Sequence, residues 1–275
     1  MDLHGKRALV LGAARGIGRA IARMLASEGM HLALPWYDWP ESVASLQEEF
    51  GGTSPHLLMQ ADVRGEEEVS ALCKRITADL GGLEVVINNI ERGGMPIVHG
   101  DYSREVNKDQ WERELDTTLK AKWLIWRHTL PLLQKAPQAA VVNISSIAGL
   151  TGRSGPVGLL FSDGYAAANS SIAGLTAQWA RQGAPHIRVH ELMLGLIDNR
   201  HGPRTRGWQS LSEQQRQALY GHTLLERTGR PEEVAKAVRF LVRDAEYCTG
   251  AVLRMDGGYL LGGEKNVEIP AGILE

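Results

Sequence analysis

The chain has 275 residues, 43% of them hydrophobic and 23% charged, enough for one globular body with a large core. A net charge of -2 with no long basic run argues against a nucleic-acid partner, and no apolar stretch reaches membrane-spanning length. Two cysteines, Cys73 and Cys248, are too few for a disulfide framework or a zinc site, so no metal is expected; with no signal-peptide pattern, the expectation is a soluble, cytoplasmic protein.

Ala8 to Leu11 is an unbroken apolar run, the pattern of a parallel strand buried on both faces. Gly12, Gly16 and Gly18 follow, then apolar residues at helical spacing (Ile17, Ile21, Met24, Leu25) and a stop at Gly29. A glycine turn between a buried strand and a helix aims unpaired amides at one spot, which attracts phosphate; this reads as nucleotide binding. A second strand is predicted over 30–34, followed by the aromatic corner Trp36, Tyr37 and Trp39. A helix over 41–50 and a strand over 57–61, ending at Asp62-Val63, come next. An acid-started helix spans 66–80, with Cys73 in step with Val69, Leu72 and Ile76, and a fourth strand spans 83–88. A long helix over about 108–133, a strand over 139–145, a helix starting near Tyr165 and a strand over 187–194 continue the alternation. Residues 200–220 read as a polar, lid-like excursion. Pro231 opens a helix to about Arg243, and 251–255 is the seventh strand. Seven strands alternating with helices predict an α/β fold: one domain, a doubly wound parallel sheet with helices on both faces.

Six pieces then occur in a fixed order: Gly12-Ala-Ala-Arg-Gly-Ile-Gly18, Asp62-Val63, Asn88-Asn89, the run from Val142 to Ser146, the run from Arg227 to Val234, and Thr249-Gly250 with Asp256-Gly257-Gly258. This set resembles the short-chain dehydrogenase/reductase family over most of the chain. The resemblance implies a Rossmann-type fold with NAD or NADP lying across the carboxyl ends of the strands. It places Gly12, Arg15, Gly16, Ile17 and Gly18 at the cofactor, Asp62 and Val63 at the adenine, and Asn89 beside the adenosine ribose. Trp36, Tyr37 and Trp39 could stack on adenine or pack as a corner, and Ile197 and Asn199 stand near the carboxamide. Arg15 resembles the residue that meets a 2′-phosphate, a slight lean to NADP.

The catalytic set matches in part. Ser146 corresponds to the serine that positions the substrate carbonyl, and Tyr165 to the proton-carrying tyrosine. Asn169 stands where the family expects lysine, and Thr118 where it expects asparagine. Glu91 replaces a small residue near the nicotinamide end. A free tyrosine titrates near about 10, so about one in a thousand is phenolate at neutral pH. Asn169 can bond a ribose hydroxyl but cannot supply the cation that favours phenolate. A neutral phenol can still donate, so oxidation is expected to suffer more than reduction. Lys122 and Arg153 are the alternative cations; both read as solvated surface charges. The segment between Ser146 and Tyr165 is longer than usual and glycine-rich, reading as a flexible loop of about 150–163 beside a small-molecule substrate.

Two readings follow. One is an oxidoreductase reducing a carbonyl or oxidising an alcohol with a degenerate catalytic set. The other is a non-redox member of the fold, either an enzyme using Glu91 with Tyr165 or Ser146 for acid/base work or a silent binding subunit. Relatives pair the helices corresponding to 108–133 and 165–181 and associate further through the last strand. With Trp111, Leu115, Trp123 and Trp126 on the first helix, a homodimer or homotetramer is expected. Arg200, Arg204 and Arg206 could meet an acidic substrate group, though a solvated surface suits them as well.

Overall fold

The computed structural model describes residues 1–52, 56–93, 96–198 and 208–264. Strands β1 (Arg7–Val10), β2 (His31–Trp36), β3 (Leu57–Gln60), β4 (Val85–Asn88), β5 (Ala139–Ser146), β6 (Ile187–Leu194) and β7 (Val252–Met255) form one sheet in the order 3-2-1-4-5-6-7. All six pairings are parallel. The order reverses beside β1, which opens a crevice at the carboxyl ends of β1 and β4. The α-helices of six or more residues are α1 (Gly16–Ser27), α2 (Pro40–Phe50), α3 (Glu66–Leu80), α4 (Gln110–Leu115), α5 (Ala121–Leu133), α6 (Asp163–Ser170), α7 (Ile172–Gly183), α8 (Glu213–His222) and α9 (Pro231–Arg239). Among the described residues no helix is long and apolar enough to cross a membrane.

Strand alternation sorts the core into two layers. Ala8 and Val10 face α1, α2 and α9 with Ile21, Leu46 and Val238, whereas Leu9 and Leu11 face α3, α5 and α7 with Leu72, Ile125 and Trp179. Trp126 and Trp179 stack at 5.1 Å and tie α5 to α7. Cys73 is buried in the second layer, as its spacing predicts.

Four features differ from the sequence expectation. The second strand continues past residue 34 through Pro35 to Trp36; its pairing to β1 has ended at Ala33, so the missing proline N–H is tolerated. The helix expected over 108–133 is broken by a π-helical turn, Asp116–Lys120, where Ala121 N donates to Asp116 O. The loop expected to be flexible over 150–163 is anchored instead. Val157, Leu160 and Phe161 are buried, and Val157 N donates to Tyr259 Oη (3.2 Å). The described part of the polar excursion also packs, since Trp208, Leu211 and Leu219 join that same cluster. Asn199, Arg200, Arg204, Arg206 and the tail beyond 264 lie outside the described residues.

A buried histidine on β6 gives the fold a pH dependence. Arg188 Nη1 donates to His190 Nε2 (3.1 Å) and to the carbonyls of Leu241 and Ala245, while His190 Nδ1 has no hydrogen-bond partner among the described residues. Burial, with the Arg188 charge second, pushes His190 down to about 4. The unfolded chain takes up this proton near about 6.5 and the folded chain does not, so protonation favours unfolding. The stability tied to neutral His190 is complete above about pH 6.5 and is lost as pH falls toward 4, about 3 kcal/mol at the limit. Thermal melts of His190→Asn are expected to show a shallower loss between pH 6.5 and 4.5 than the unsubstituted protein. Parallel curves would remove His190 from the cause.

Candidate active site

The turn from Gly12 to Gly18 is built so that only glycine fits at its two ends. Gly12 has φ 69°, and a Cβ there would lie 2.2 Å from Asn89 O; a Cβ on Gly18 would lie 2.1 Å from Gly12 O. The turn is packed directly on the end of β4, where Asn89 Nδ2 donates to Leu11 O (3.4 Å). No side chain caps the amino end of α1, which leaves its first-turn amides for a ligand. A cradle that any Cβ would fill, at an open helix terminus, fits a dinucleotide phosphate.

The far corner of the crevice carries the aromatic residues. The Arg15 guanidinium lies 3.6 Å from the centre of the Trp39 ring, and Trp39 adopts φ 68°. Tyr37 is half exposed, with Arg64 5.2 Å above its ring, whereas Trp36 packs into the first core layer. Asp62 spends its carboxylate on Arg64 in a bidentate pair (2.8 and 2.5 Å), which holds it below the usual carboxylate range. Val63 and Ile17 are partly buried against the two core layers, and Ile197 is buried and bridged to Gly229.

At the other end, β5, α6 and the segment after β4 converge. Tyr165, near the start of α6, is 3% exposed and its Oη donates to Glu91 Oε2 at 2.7 Å. Asn169 lies one turn on and is also buried. Its Oδ1 accepts from Ser146 N (2.9 Å) and its Nδ2 donates to Tyr165 O (3.0 Å), so this carboxamide stitches the end of β5 to α6. Ser146 Oγ accepts from Ala148 N (3.1 Å), leaving the hydroxyl hydrogen to donate. Thr118 sits wholly buried in the π turn and accepts from Arg92 N (3.1 Å), beside Glu91. The five residues singled out from sequence, Ser146, Tyr165, Asn169, Thr118 and Glu91, therefore belong to one connected network.

Comparisons with known proteins identify the family. The profile of a family described as Enoyl-(Acyl carrier protein) reductase matches residues 12–260. The 3-oxoacyl-[acyl-carrier-protein] reductase FabG of Vibrio cholerae is 30% identical over 260 residues, covering 94% of this chain and 98% of that one. The cis-4-hydroxycyclohexanecarboxylate dehydrogenase of Sinomonas cyclohexanicum is 33% identical over 257 residues, covering 92% and 95%. A crystal structure from Sinorhizobium meliloti assigned to the short-chain alcohol dehydrogenases superposes with a TM-score of 0.80 at 28% identity, covering 95% of this chain and 98% of that one. The chain belongs to the short-chain dehydrogenase/reductase family. As a member, it is an NAD(P)-dependent oxidoreductase with a Rossmann-type sheet.

Two residues of this short-chain dehydrogenase/reductase site were not legible as such. Lys122, read from sequence as a solvated charge, is wholly buried; its Nζ donates to Ile90 O (2.7 Å) and Thr118 O (3.1 Å). Arg153, the other alternative cation, is exposed as read. Glu114 is the second unforeseen residue. It is wholly buried and accepts from Tyr102 Oη (2.6 Å), Gln110 Nε2 (2.9 Å) and Ser162 Oγ (2.6 Å), while Tyr102 Oη accepts from Gly164 N (2.8 Å). That knot fixes the start of α6 and with it Tyr165. Burial and the Glu114 carboxylate push Tyr102 up to about 12, so its phenol stays a donor. For Lys122 the available signal was a charge among the apolar positions Leu119, Ile125 and Trp126; around Glu114 the sequence carries no such signal.

Proposed function

We propose that this enzyme interconverts a carbonyl and an alcohol on a small molecule, with Ser146 positioning the oxygen, Tyr165 carrying the proton and Glu91 as the tyrosine's proton partner. The observation that carries the reading is the 2.7 Å hydrogen bond from Tyr165 to Glu91. When bound, a reduced nicotinamide supplies a hydride. Gly12, Gly16 and Gly18 would hold its phosphates, Asn89 the adenosine side, and Ile197 the carboxamide end. Arg15, already at the aromatic corner with Tyr37 and Arg64 near it, favours NADP through a 2′-phosphate.

The chain's own groups can complete the proton transfer without a lysine at 169. In reduction the Tyr165 hydroxyl turns from Glu91 and gives its proton to the substrate oxygen as charge grows there; Glu91, having taken a proton from solvent, then passes it to the phenolate. In oxidation the order reverses, and the carboxylate finally takes the proton. Asn169 orients rather than charges the site, because its carboxamide already bonds Ser146 N and Tyr165 O. The groove between α5 and α7, lined by Leu119, Trp123, Gly174 and Leu175, supports a homodimer across this face; partly exposed Val252 and Leu253 on edge strand β7 support further pairing.

The test is a titration with NADPH and NADH, followed through quenching of the seven tryptophans. Nucleotide oxidation with a 3-oxoacyl thioester, and reduction with cis-4-hydroxycyclohexanecarboxylate, come next; both probes are suggested by the relatives' names. Micromolar binding, tighter for NADPH, with turnover of an oxo or hydroxy probe that Tyr165→Phe removes, is expected. Binding of neither nucleotide would overturn the proposal and leave Glu91, Ser146 and Tyr165 to acid/base chemistry without hydride transfer.

A further inference from the structure

Glu91 follows β4 on a stretch with no helical or ladder hydrogen bonding of its own, residues 89–93. Its carboxylate can face Tyr165 reproducibly only if the backbone on both sides is fixed from elsewhere. The structure supplies both anchors from one place. Ile90 O, before Glu91, accepts from Lys122 Nζ at 2.7 Å; Arg92 N, after it, donates to Thr118 Oγ1 at 3.1 Å. Lys122 Nζ also donates to Thr118 O at 3.1 Å, so a single ammonium joins the Glu91 segment to the π turn. An ammonium suits the task because it offers three donors to carbonyls of different segments and competes with none of them as an acceptor.

We propose that Lys122 is the positioning residue that holds Glu91 against Tyr165, with Glu191 of β6 as its counter-charge. This rests on the reading of Glu91 and Tyr165 given above. Burying an ammonium completely costs several kcal/mol unless an opposite charge answers it. Glu191 is wholly buried on the same face of the sheet, in register with Asn143 of β5 and through it with Asn88 of β4, just before the Glu91 segment. Ser145 Oγ donates to Glu191 Oε1, and Glu191 Oε2 has no hydrogen-bond partner among the described residues. Burial holds the Glu191 carboxyl above the usual carboxylate range; the Ser145 hydroxyl, and after it the Lys122 charge, pull it part of the way back. An apolar pair would fill this space at no charge-burial cost, so the fold alone does not require these two charges.

The test separates positioning from mere support of the fold. Lys122→Met/Glu191→Gln removes both charges together, so neither is stranded. In protein labelled with 13C at the tyrosine Cζ, the Tyr165 resonance, assigned by its loss in Tyr165→Phe, reports the hydrogen bond to Glu91. The double variant is expected to move that resonance in the direction that Glu91→Ala does, since both take the carboxylate away from the phenol. Where the protein turns over the 3-oxoacyl thioester with NADPH, kcat should fall about tenfold with KM little changed, and the Glu91→Ala background, which has no side chain left to position, should show no further loss. An unmoved Tyr165 resonance, or losses that multiply in the Glu91→Ala background, would overturn the proposal and leave Lys122 a structural residue. If no carbonyl is reduced at all, the reading of the reaction fails, while the resonance comparison still decides the role of Lys122.

Discussion

Gly18→Ala is expected to lower NADPH and NADH affinity by about ten- to a hundred-fold, read by the same tryptophan quenching. The added Cβ would stand 2.1 Å from Gly12 O, 2.5 Å from Gly12 C and 2.8 Å from Asn89 Nδ2. The first two contacts are backbone, which cannot swing aside as a side chain can. Relieving them means pushing α1 away from the turn, or the turn away from the end of β4. Overpacking of this kind costs about 1–3 kcal/mol, and each 1.4 kcal/mol is a factor of ten. The strain falls on the segment whose amides must converge on a phosphate, so the loss should appear in affinity before it appears in melting temperature. Gly221→Ala is the matching control. Its Cβ would meet nothing within 4 Å in α8, and it should leave binding unchanged while adding up to about 1 kcal/mol of helix stability. Equal effects from the two substitutions would mean that the glycine turn is not where the nucleotide is held.

The sheet and its order were legible because buried parallel strands write themselves as apolar runs. The run from Ala8 to Leu11 became β1 at Arg7–Val10, and 187–194 was recovered at both ends. Pro35 misled, since the usual penalty for proline in a strand applies only where its N–H is needed, and that depends on how far β1 extends. The π turn was invisible for a related reason. Nothing in Asp-Thr-Thr-Leu-Lys demands a wider turn; the carbonyl and hydroxyl of Thr118 are used by Lys122 and Arg92, the latter from a distant segment. Glu91 stood out in the sequence as an acid where a small residue is usual, with Tyr165 or Ser146 as its possible partner; which of the two it meets is set by the packing of α6, which brings Tyr165 to it. The hydrogen-bond partners of buried Lys122 and Val157, Ile90 and Tyr259, both lie far along the chain. Local pattern gives elements and candidate chemistry. Which charges meet is decided by topology.

Glu91→Gln should lower kcat/KM by about 10²- to 10⁴-fold, the range of a lost general acid or base. The substitution is nearly isosteric, and the carboxamide oxygen can still accept the Tyr165 hydroxyl, so the geometry of the 2.7 Å contact is retained. What is lost is the ability to hold a proton. Without it, Tyr165 must end reduction as a phenolate beside neutral Asn169, and nothing near it in the network restores the phenol except solvent. The sequence alone suggests that oxidation suffers more than reduction. At one pH that cannot hold for the complete reaction, because the equilibrium constant fixes the ratio of the forward and reverse efficiencies. Kinetics for Glu91→Gln should therefore show comparable losses in both directions, with the asymmetry confined to kcat and to the individual KM values. Glu91→Ala should lose more than Glu91→Gln, since it frees the phenol from its orientation as well. A loss of less than about threefold in Glu91→Gln would show that Glu91 only orients Tyr165, and the proton would then have to reach the tyrosine directly from water.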